Sequence, residues 1–219
     1  MKQKDMEDYI ERYSKRYKQH GYSAMSLGWG KNGNQIYRFN ILKEVGIGTE
    51  SSVLDVGCGF GDFYGFLVDS GWHGEYVGLD IVEDLLMEAR RQYSGIDVRN
   101  IDILDKGFSR KFDYVISSGI FNAKLTAEDN YTYINSMLKA MLDSAEIGVA
   151  ADFLSIYVDY QAELNFHADP EKIYQIIRAL SRRNVLRSDY MPYEFAVYLY
   201  RNDSADPDRH VFLEYKNRF

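Results

Sequence analysis

The chain has 219 residues, the size of one domain and enough to bury a substantial core. Hydrophobic residues make up 46% and charged residues 27%, and the net charge of −7 disfavours a nucleic-acid substrate because phosphate backbones attract basic surfaces. A single cysteine, Cys58, excludes an internal disulfide framework. The N-terminal segment is charged, and no apolar run is long enough to span a membrane. Together these three features predict a cytoplasmic protein.

An amphipathic helix is predicted over residues 4–19. Met6, Ile10, Tyr13 and Tyr17 recur there at three- and four-residue spacing, opposite a face of lysine and glutamate. This pattern is typical of a helix that packs one side against the rest of a protein.

A loop of small residues follows, and apolar spacing predicts a second helix over residues 34–45. Trp29 in the loop and Gln35 and Arg38 on the helix are candidate ligand contacts. The competing interpretation of Arg38 is a solvent-exposed helix residue.

Residues 52–62 combine a buried strand with a glycine-rich turn. Gly57, Gly59 and Gly61 allow positive φ and let the backbone approach a ligand closely. The helix predicted after this turn presents free N–H groups beside it. The motif therefore predicts a nucleotide-like ligand at the carboxyl end of the first strand of an open sheet.

Two acids strengthen this interpretation. Asp55 lies inside the strand, where a nicotinamide-binding dehydrogenase normally has an apolar residue. Asp80 ends the next apolar strand, about twenty residues beyond the turn, as expected for a carboxylate that holds ribose hydroxyls.

Helices and strands alternate along the rest of the chain. Thr126 and Asp129 resemble a capping box that opens a helix, and Pro170 suits the first turn of another. Further helices are predicted over residues 82–93 and 169–183, and strands over residues 75–79, 96–101, 112–117, 146–154, 185–189 and 193–200.

Four runs of this sequence resemble, in order and spacing, the successive motifs of class I S-adenosylmethionine-dependent methyltransferases. They are VLDVGCGFGDF at residues 53–63, VGLDI at 77–81, NIDI at 100–103 and FDYVISSG at 112–119. The resemblance covers roughly residues 50–155 and is specific for the cofactor but not for the methyl acceptor.

The resemblance implies an α/β, Rossmann-like, doubly wound fold with a mostly parallel seven-stranded sheet, a C-terminal antiparallel hairpin and an N-terminal helical lid. One methyltransferase domain would span residues 1–219. Residues 1–48 would form the lid, 49–155 the cofactor-binding core, and 156–219 the acceptor side and closing strands.

The resemblance also implies S-adenosyl-L-methionine as cofactor. Asp80 would hold the ribose, Asp102 the adenine amine and Arg38 the methionine carboxylate. Asp105 is an alternative to Asp102 at the adenine. A further alternative is that Asp102 and Asp105 are ordinary loop residues without a ligand. The implied cofactor set is Arg38, Asp55, Gly57, Cys58, Gly59, Asp80, Ile81, Asp102, Ile103 and Ser118.

Acceptor-side candidates are Trp29, Asn122 and Tyr157, and His167 is a candidate general base because its pKa can lie near neutrality. The alternative for His167 is an ordinary surface histidine in a long loop. The sequence shows no metal-ligand spacing.

A small polar acceptor, such as a sugar or a phosphorylated metabolite, is the leading hypothesis. The alternatives are an NAD-dependent oxidoreductase, a catalytically silent cofactor-binding partner subunit and a nucleic-acid methyltransferase. The absence of an Asn/Asp-Pro-Pro-aromatic motif at residues 118–122 counts against methylation of DNA bases. No membrane association is expected, and the sequence leaves the acceptor and the oligomeric state open.

Overall fold

The fold is an α/β sandwich, seen in a computed structural model that describes residues 1–29, 34–106, 108 and 110–216. The strands are β1 (Val53–Val56), β2 (Tyr76–Asp80), β3 (Val98–Asn100), β4 (Phe112–Ser117), β5 (Ala145–Leu154), β6 (Asn184–Arg187) and β7 (Glu194–Tyr200). The helices are α1 (Gln3–His20), α2 (Gln35–Lys43), α3 (Asp62–Asp69), α4 (Glu83–Gln92), α5 (Ile103–Lys106), α6 (Asn130–Asp143), α7 (Pro170–Leu180) and α8 (Leu213–Lys216).

The seven strands form one sheet in the order β3-β2-β1-β4-β5-β7-β6. The first five are parallel to their neighbours, and β7 runs antiparallel between β5 and β6. Chain order reverses direction between β1 and β4, and the crevice at such a switch point is where open α/β sheets bind ligands. The predicted sheet and its C-terminal hairpin are confirmed.

Alternation along each strand divides the core between the two faces of the sheet. On β1, Leu54 belongs to the cluster that packs against α6 and α7, whereas Val53 belongs to the cluster that packs against α2, α3 and α4. Phe153 of β5 is 1% exposed, and its ring stacks between Phe121, 4.9 Å away, and Phe195, 5.1 Å away. Helices therefore cover both faces, as in a doubly wound fold.

The helix α1 lies apart from both of these clusters. It packs against the smaller cluster of Phe60, Val82 and Leu85, and its own contact residues there are only partly buried. Those contact residues are Tyr9, Ile10, Tyr13 and Tyr17.

Polar contacts fix both ends of α1. Asp5 accepts hydrogen bonds from the backbone N–H of Thr126 at 2.7 Å and of Ala127 at 3.0 Å, and the Tyr17 hydroxyl donates to Glu88 at 2.7 Å. Burial of Asp5 acts to raise its pKa, but these hydrogen bonds outweigh it and leave the pKa below its ordinary value.

The predicted capping box was wrong. Asp129, not Thr126, is the N-cap of α6, because its carboxylate accepts from the Thr132 N–H at 2.8 Å. Thr126 is instead bonded to Asp5 of α1.

Some element bounds also differ from the predicted ones. The helix α7 ends at Leu180, before residue 183, and β3 is shorter than residues 96–101. The sequence pattern did not indicate α5, which is only one turn long.

Removal of the Phe153 ring should destabilise the fold. We expect Phe153→Ala to lower the free energy of unfolding by about 3–5 kcal/mol, because the cavity lies between two stacked rings in the core. Equilibrium unfolding in urea measures this change. The matched control is Ile147→Ala on the same strand, where the side chain is 43% exposed and a loss of under about 1 kcal/mol is expected; equal losses would contradict the assignment of the core.

Candidate active site

The glycine turn after β1 has the backbone geometry that its sequence predicts. Gly57, Gly59 and Gly61 have φ values of 78°, 54° and 74°, a region that favours glycine. A Cβ atom on Gly57 would lie 2.1 Å from the Cγ2 atom of Ile120, so this position also has no room for a side chain.

Asp80 joins this turn to the start of α4. Its carboxylate accepts from the N–H of Gly59 at 2.9 Å and from the N–H of Val82 at 2.9 Å. Burial raises the pKa of Asp80 above its ordinary value, although the backbone hydrogen bonds oppose that rise.

Asp55 lies on β1 beneath the turn and is 3% exposed. It accepts a hydrogen bond of 2.7 Å from the Tyr76 hydroxyl on the neighbouring strand. Burial raises the pKa of Asp55 to about 7, with the Tyr76 hydrogen bond acting in the opposite direction.

A cavity of about 370 Å³ opens at the crevice between β1 and β4. This volume is within the range of small-molecule sites in proteins. Ten residues predicted from the sequence line it: Trp29, Gln35, Arg38, Asp55, Gly57, Cys58, Gly59, Asp80, Ser118 and Asn122.

A second, smaller cavity of about 40 Å³ adjoins the first at Gly57 and Asp80. The other predicted residues Ile81, Asp102 and Ile103 line it, together with Tyr133 and Met137. The two cavities thus gather all ten residues of the predicted cofactor set.

Two predicted residues lie elsewhere. Tyr157 is 61% exposed and His167 lies outside the lining of both cavities. The Nδ1 atom of His167 is 2.9 Å from the Ser155 carbonyl oxygen, which can only accept, so Nδ1 carries the proton. The placement gives no support to His167 as a general base.

Arg38 is not the solvent-exposed helix residue that the competing interpretation required. It is 6% exposed and forms a two-pronged ion pair with Glu194 at the start of β7. Its guanidinium lies 4.2 Å from the ring centroid of Trp29, and its buried Nη1 atom has no hydrogen-bond partner. Arg38 therefore keeps one donor group free at the cavity.

Asp152 of β5 supports the segment after β4. It is 1% exposed and accepts from the Ser118 hydroxyl at 2.5 Å and the Gly119 N–H at 2.7 Å. Burial raises the pKa of Asp152 to about 6, and the charge of Arg38 opposes this rise. No sequence motif indicated Asp152 or Glu194, since each acts through a partner distant along the chain.

One face of α1 also lines the cavity. Its lining residues recur at three- and four-residue spacing: Tyr9, Arg12, Tyr13 and Arg16. This spacing puts their side chains on one face of the helix and was visible in the sequence. The sequence pattern had assigned Tyr13 to core packing alone.

Known proteins share both the sequence motifs and this fold. A family model described as a methyltransferase domain matches residues 53–143. A protein of Mycobacterium tuberculosis, provisionally named a methyltransferase, is 28% identical over 152 residues, covering 67% of this chain and 90% of that protein.

Among solved structures, magnesium protoporphyrin IX methyltransferase from Synechocystis with bound S-adenosylhomocysteine has a TM-score of 0.61 at 15% identity, covering 89% of this chain and 94% of that one. The N-methyltransferase NodS from Bradyrhizobium japonicum, also with S-adenosylhomocysteine, has a TM-score of 0.60 at 14% identity, covering 90% and 98%. Residues 53–143 thus match a methyltransferase domain, and the fold of the chain is that of class I S-adenosylmethionine-dependent methyltransferases.

Solved structures with this fold contain bound S-adenosylmethionine or S-adenosylhomocysteine. Within the described residues the chain has no group of three or more His, Cys, Asp or Glu side chains that could hold a metal ion. None of the helices in the same part of the chain is long and apolar enough to cross a bilayer.

Enlarging Gly119 should move Trp29 out of its position. A Cβ atom there would lie 2.6 Å from the Cη2 atom of Trp29, so we expect Gly119→Ala to increase acrylamide quenching of tryptophan fluorescence. The only other tryptophan, Trp72, is 5% exposed. The matched control is Gly95→Ala, which has a similar φ of 80° and no atom within 4 Å; equal quenching in both variants would contradict the contact.

The raised pKa of Asp55 should appear as a pH dependence of stability. The folded state binds the proton of the Asp55 carboxyl more tightly than the unfolded state does. Protonated Asp55 therefore contributes fully to stability at pH values below 3.8, its pKa in the unfolded chain. This contribution is lost as the pH rises through the folded-state pKa of about 7. We expect Asp55→Asn to become more stable relative to the wild type over that range, by up to about 1.4 kcal/mol per pH unit. Urea unfolding at a series of pH values measures this. A parallel trend in Asp8→Asn, at an exposed position of α1, would contradict the assignment.

Proposed function

We propose that this protein transfers a methyl group in line to a small polar metabolite, such as a sugar or a phosphorylated compound. The observation that carries the proposal is the cavity at the β1–β4 crevice, which joins the glycine turn to a set of uncharged polar side chains. A cavity of this volume, lined by both polar and apolar side chains, suits a small acceptor.

The two cavities support a proposed assignment of the cofactor residues. We place the adenine in the small cavity with Asp102 and Ile103, and the ribose beside Asp80, which lines both cavities. The free Nη1 donor of Arg38 suits the methionine carboxylate, because a buried donor without a partner is costly until it is satisfied. The glycine turn suits the part of the cofactor between the ribose and the methionine carboxylate, because the turn leaves no room for a protein side chain.

The acceptor side is formed by Trp29, Asn122 and Asn165. The Oδ1 atom of Asn122 accepts from the Leu154 N–H at 3.0 Å, which fixes the amide and leaves its NH2 group for a ligand. Asn122 and Asn165 lie on paired backbone segments, since Phe166 donates to the Asn122 carbonyl at 3.0 Å. These side chains would orient a hydroxyl, carboxylate or phosphate oxygen.

The bound cofactor supplies a methyl group on a sulfonium, which is already a good leaving group. The contribution of the protein is then to hold the acceptor in line and to exclude water, a positioning effect rather than covalent catalysis. The cavity lining supplies hydrogen-bond donors for this purpose and does not include His167. This arrangement suits an acceptor oxygen that is already anionic or that loses its proton late.

Calorimetric titration with S-adenosylmethionine, S-adenosylhomocysteine and NAD tests the cofactor site. We expect the first two to bind and NAD not to bind. Asp80→Asn should weaken S-adenosylhomocysteine binding by roughly tenfold or more, the size expected for loss of a charge-assisted hydrogen bond. The control Asp69→Asn changes an exposed acid outside both cavities and should bind as the wild type does.

Catalysis is tested separately, by release of S-adenosylhomocysteine with a panel of sugars, sugar phosphates and carboxylic acids. Turnover with one of them would exclude the silent partner subunit. Binding of NAD alone, or full affinity in a folded Asp80→Asn variant, would overturn the assigned cofactor site.

A further inference from the structure

Two arginines of α1 face the same cavity. Arg12 and Arg16 are four residues apart, so their side chains lie on one face of the helix, and both line the cavity while being only half-buried. Neither arginine belongs to the residues proposed to hold the cofactor.

Both arginines lack an acidic partner in the part of the chain that the structure describes. Within the described residues, no carboxylate lies within 4.0 Å of either guanidinium and neither donates a side-chain hydrogen bond. None of the residues outside the described ranges carries a carboxylate side chain. Arg38, in the same cavity, is by contrast paired with Glu194.

The acids of the cavity are already bonded to other groups. Asp55 accepts from Tyr76, Asp62 accepts from the Tyr22 hydroxyl at 2.7 Å, and Asp80 accepts from backbone N–H groups. Among the described residues, the guanidinium groups of Arg12 and Arg16 are therefore not paired with any acid of this cavity.

Arg16 is held in position rather than free in solvent. Its guanidinium lies 5.6 Å from the ring centroid of Tyr13, and a Cβ atom on Gly28 would lie 2.7 Å from its Nη1 atom. A guanidinium fixed in this way loses little side-chain freedom when it binds an anion.

The cofactor has one carboxylate, for which Arg38 already has a free donor. Arg12 and Arg16 therefore add two positive charges for which the cofactor has no second carboxylate. The sulfonium of the cofactor would add another positive charge to the same cavity. Asp55, Asp62 and Asp80 also line the cavity, so the attraction for an anionic group of the acceptor is local to Arg12 and Arg16.

We propose that Arg12 and Arg16 bind an oxyanion of the methyl acceptor, a phosphate or a carboxylate. The inference deepens the proposed function and rests on it. Guanidinium groups at i and i+4 present fork-shaped donors that suit either oxyanion, and they would fix the acceptor by its charged group while another of its atoms receives the methyl.

Titration of the complex with S-adenosylhomocysteine tests this. The probes are inorganic phosphate, glucose 6-phosphate, succinate and glucose, with calorimetry as the readout. We expect saturable binding of at least one anion, no binding of glucose, and a loss of anion affinity of roughly tenfold or more in the double variant R12Q/R16Q. A preference for the phosphates or for succinate identifies which oxyanion is bound.

The matched control is K15Q/K18Q, which removes the same charge from exposed positions of α1. It should keep both anion and S-adenosylhomocysteine affinity, and circular dichroism verifies that all variants fold. Absence of anion binding to the wild-type complex, or an equal loss in the control, would overturn the inference.

Two further outcomes separate this inference from the proposed function. If R12Q/R16Q loses S-adenosylhomocysteine affinity instead of anion affinity, the arginines serve the cofactor and only the inference fails. If the wild type binds no S-adenosylhomocysteine, the proposed function fails and the inference with it.

Discussion

The site depends on one buried carboxylate. Asp80 accepts backbone hydrogen bonds from Gly59 in the turn after β1 and from Val82 at the start of α4, so two separate loops are fixed by one side chain. Backbone N–H groups in buried loops need acceptors, and without Asp80 both would lose theirs. The crevice between β1 and β4 keeps its shape because its floor is tied together in this way.

The sequence was sufficient for the features that are set by local constraints. Buried strands such as β1 and β2 show as apolar runs, and the glycine turn shows because only glycine tolerates its backbone angles without strain. The helix α7 was predicted with Pro170 in its first turn for a similar reason, since proline suits that position. All ten predicted cofactor residues lie at the two adjoining cavities.

Features that depend on distant partners could not be predicted. Arg38 and Glu194 are 156 positions apart, and the sequence does not show that they pair. Thr126 resembled a cap, but Asp5 of α1 takes its hydrogen bonds, and Asp129 caps α6 instead. Tertiary contacts thus overrode the local sequence pattern. The cavity-lining face of α1 was missed because its tyrosines also fit an ordinary packing stripe.

The way in which α1 is attached has a consequence for exchange of ligands. Its ends are fixed by Asp5 and Tyr17, and its contact residues are only partly buried. Detaching α1 would break these polar contacts and expose the small cluster of Phe60, Val82 and Leu85, but it would leave the two larger core clusters intact. Local unfolding of α1 therefore requires less free energy than unfolding of the sheet. A ligand enclosed beneath α1 would stabilise the attached state of this helix by mass action. The residence time of the ligand would then depend on how often this single helix unfolds.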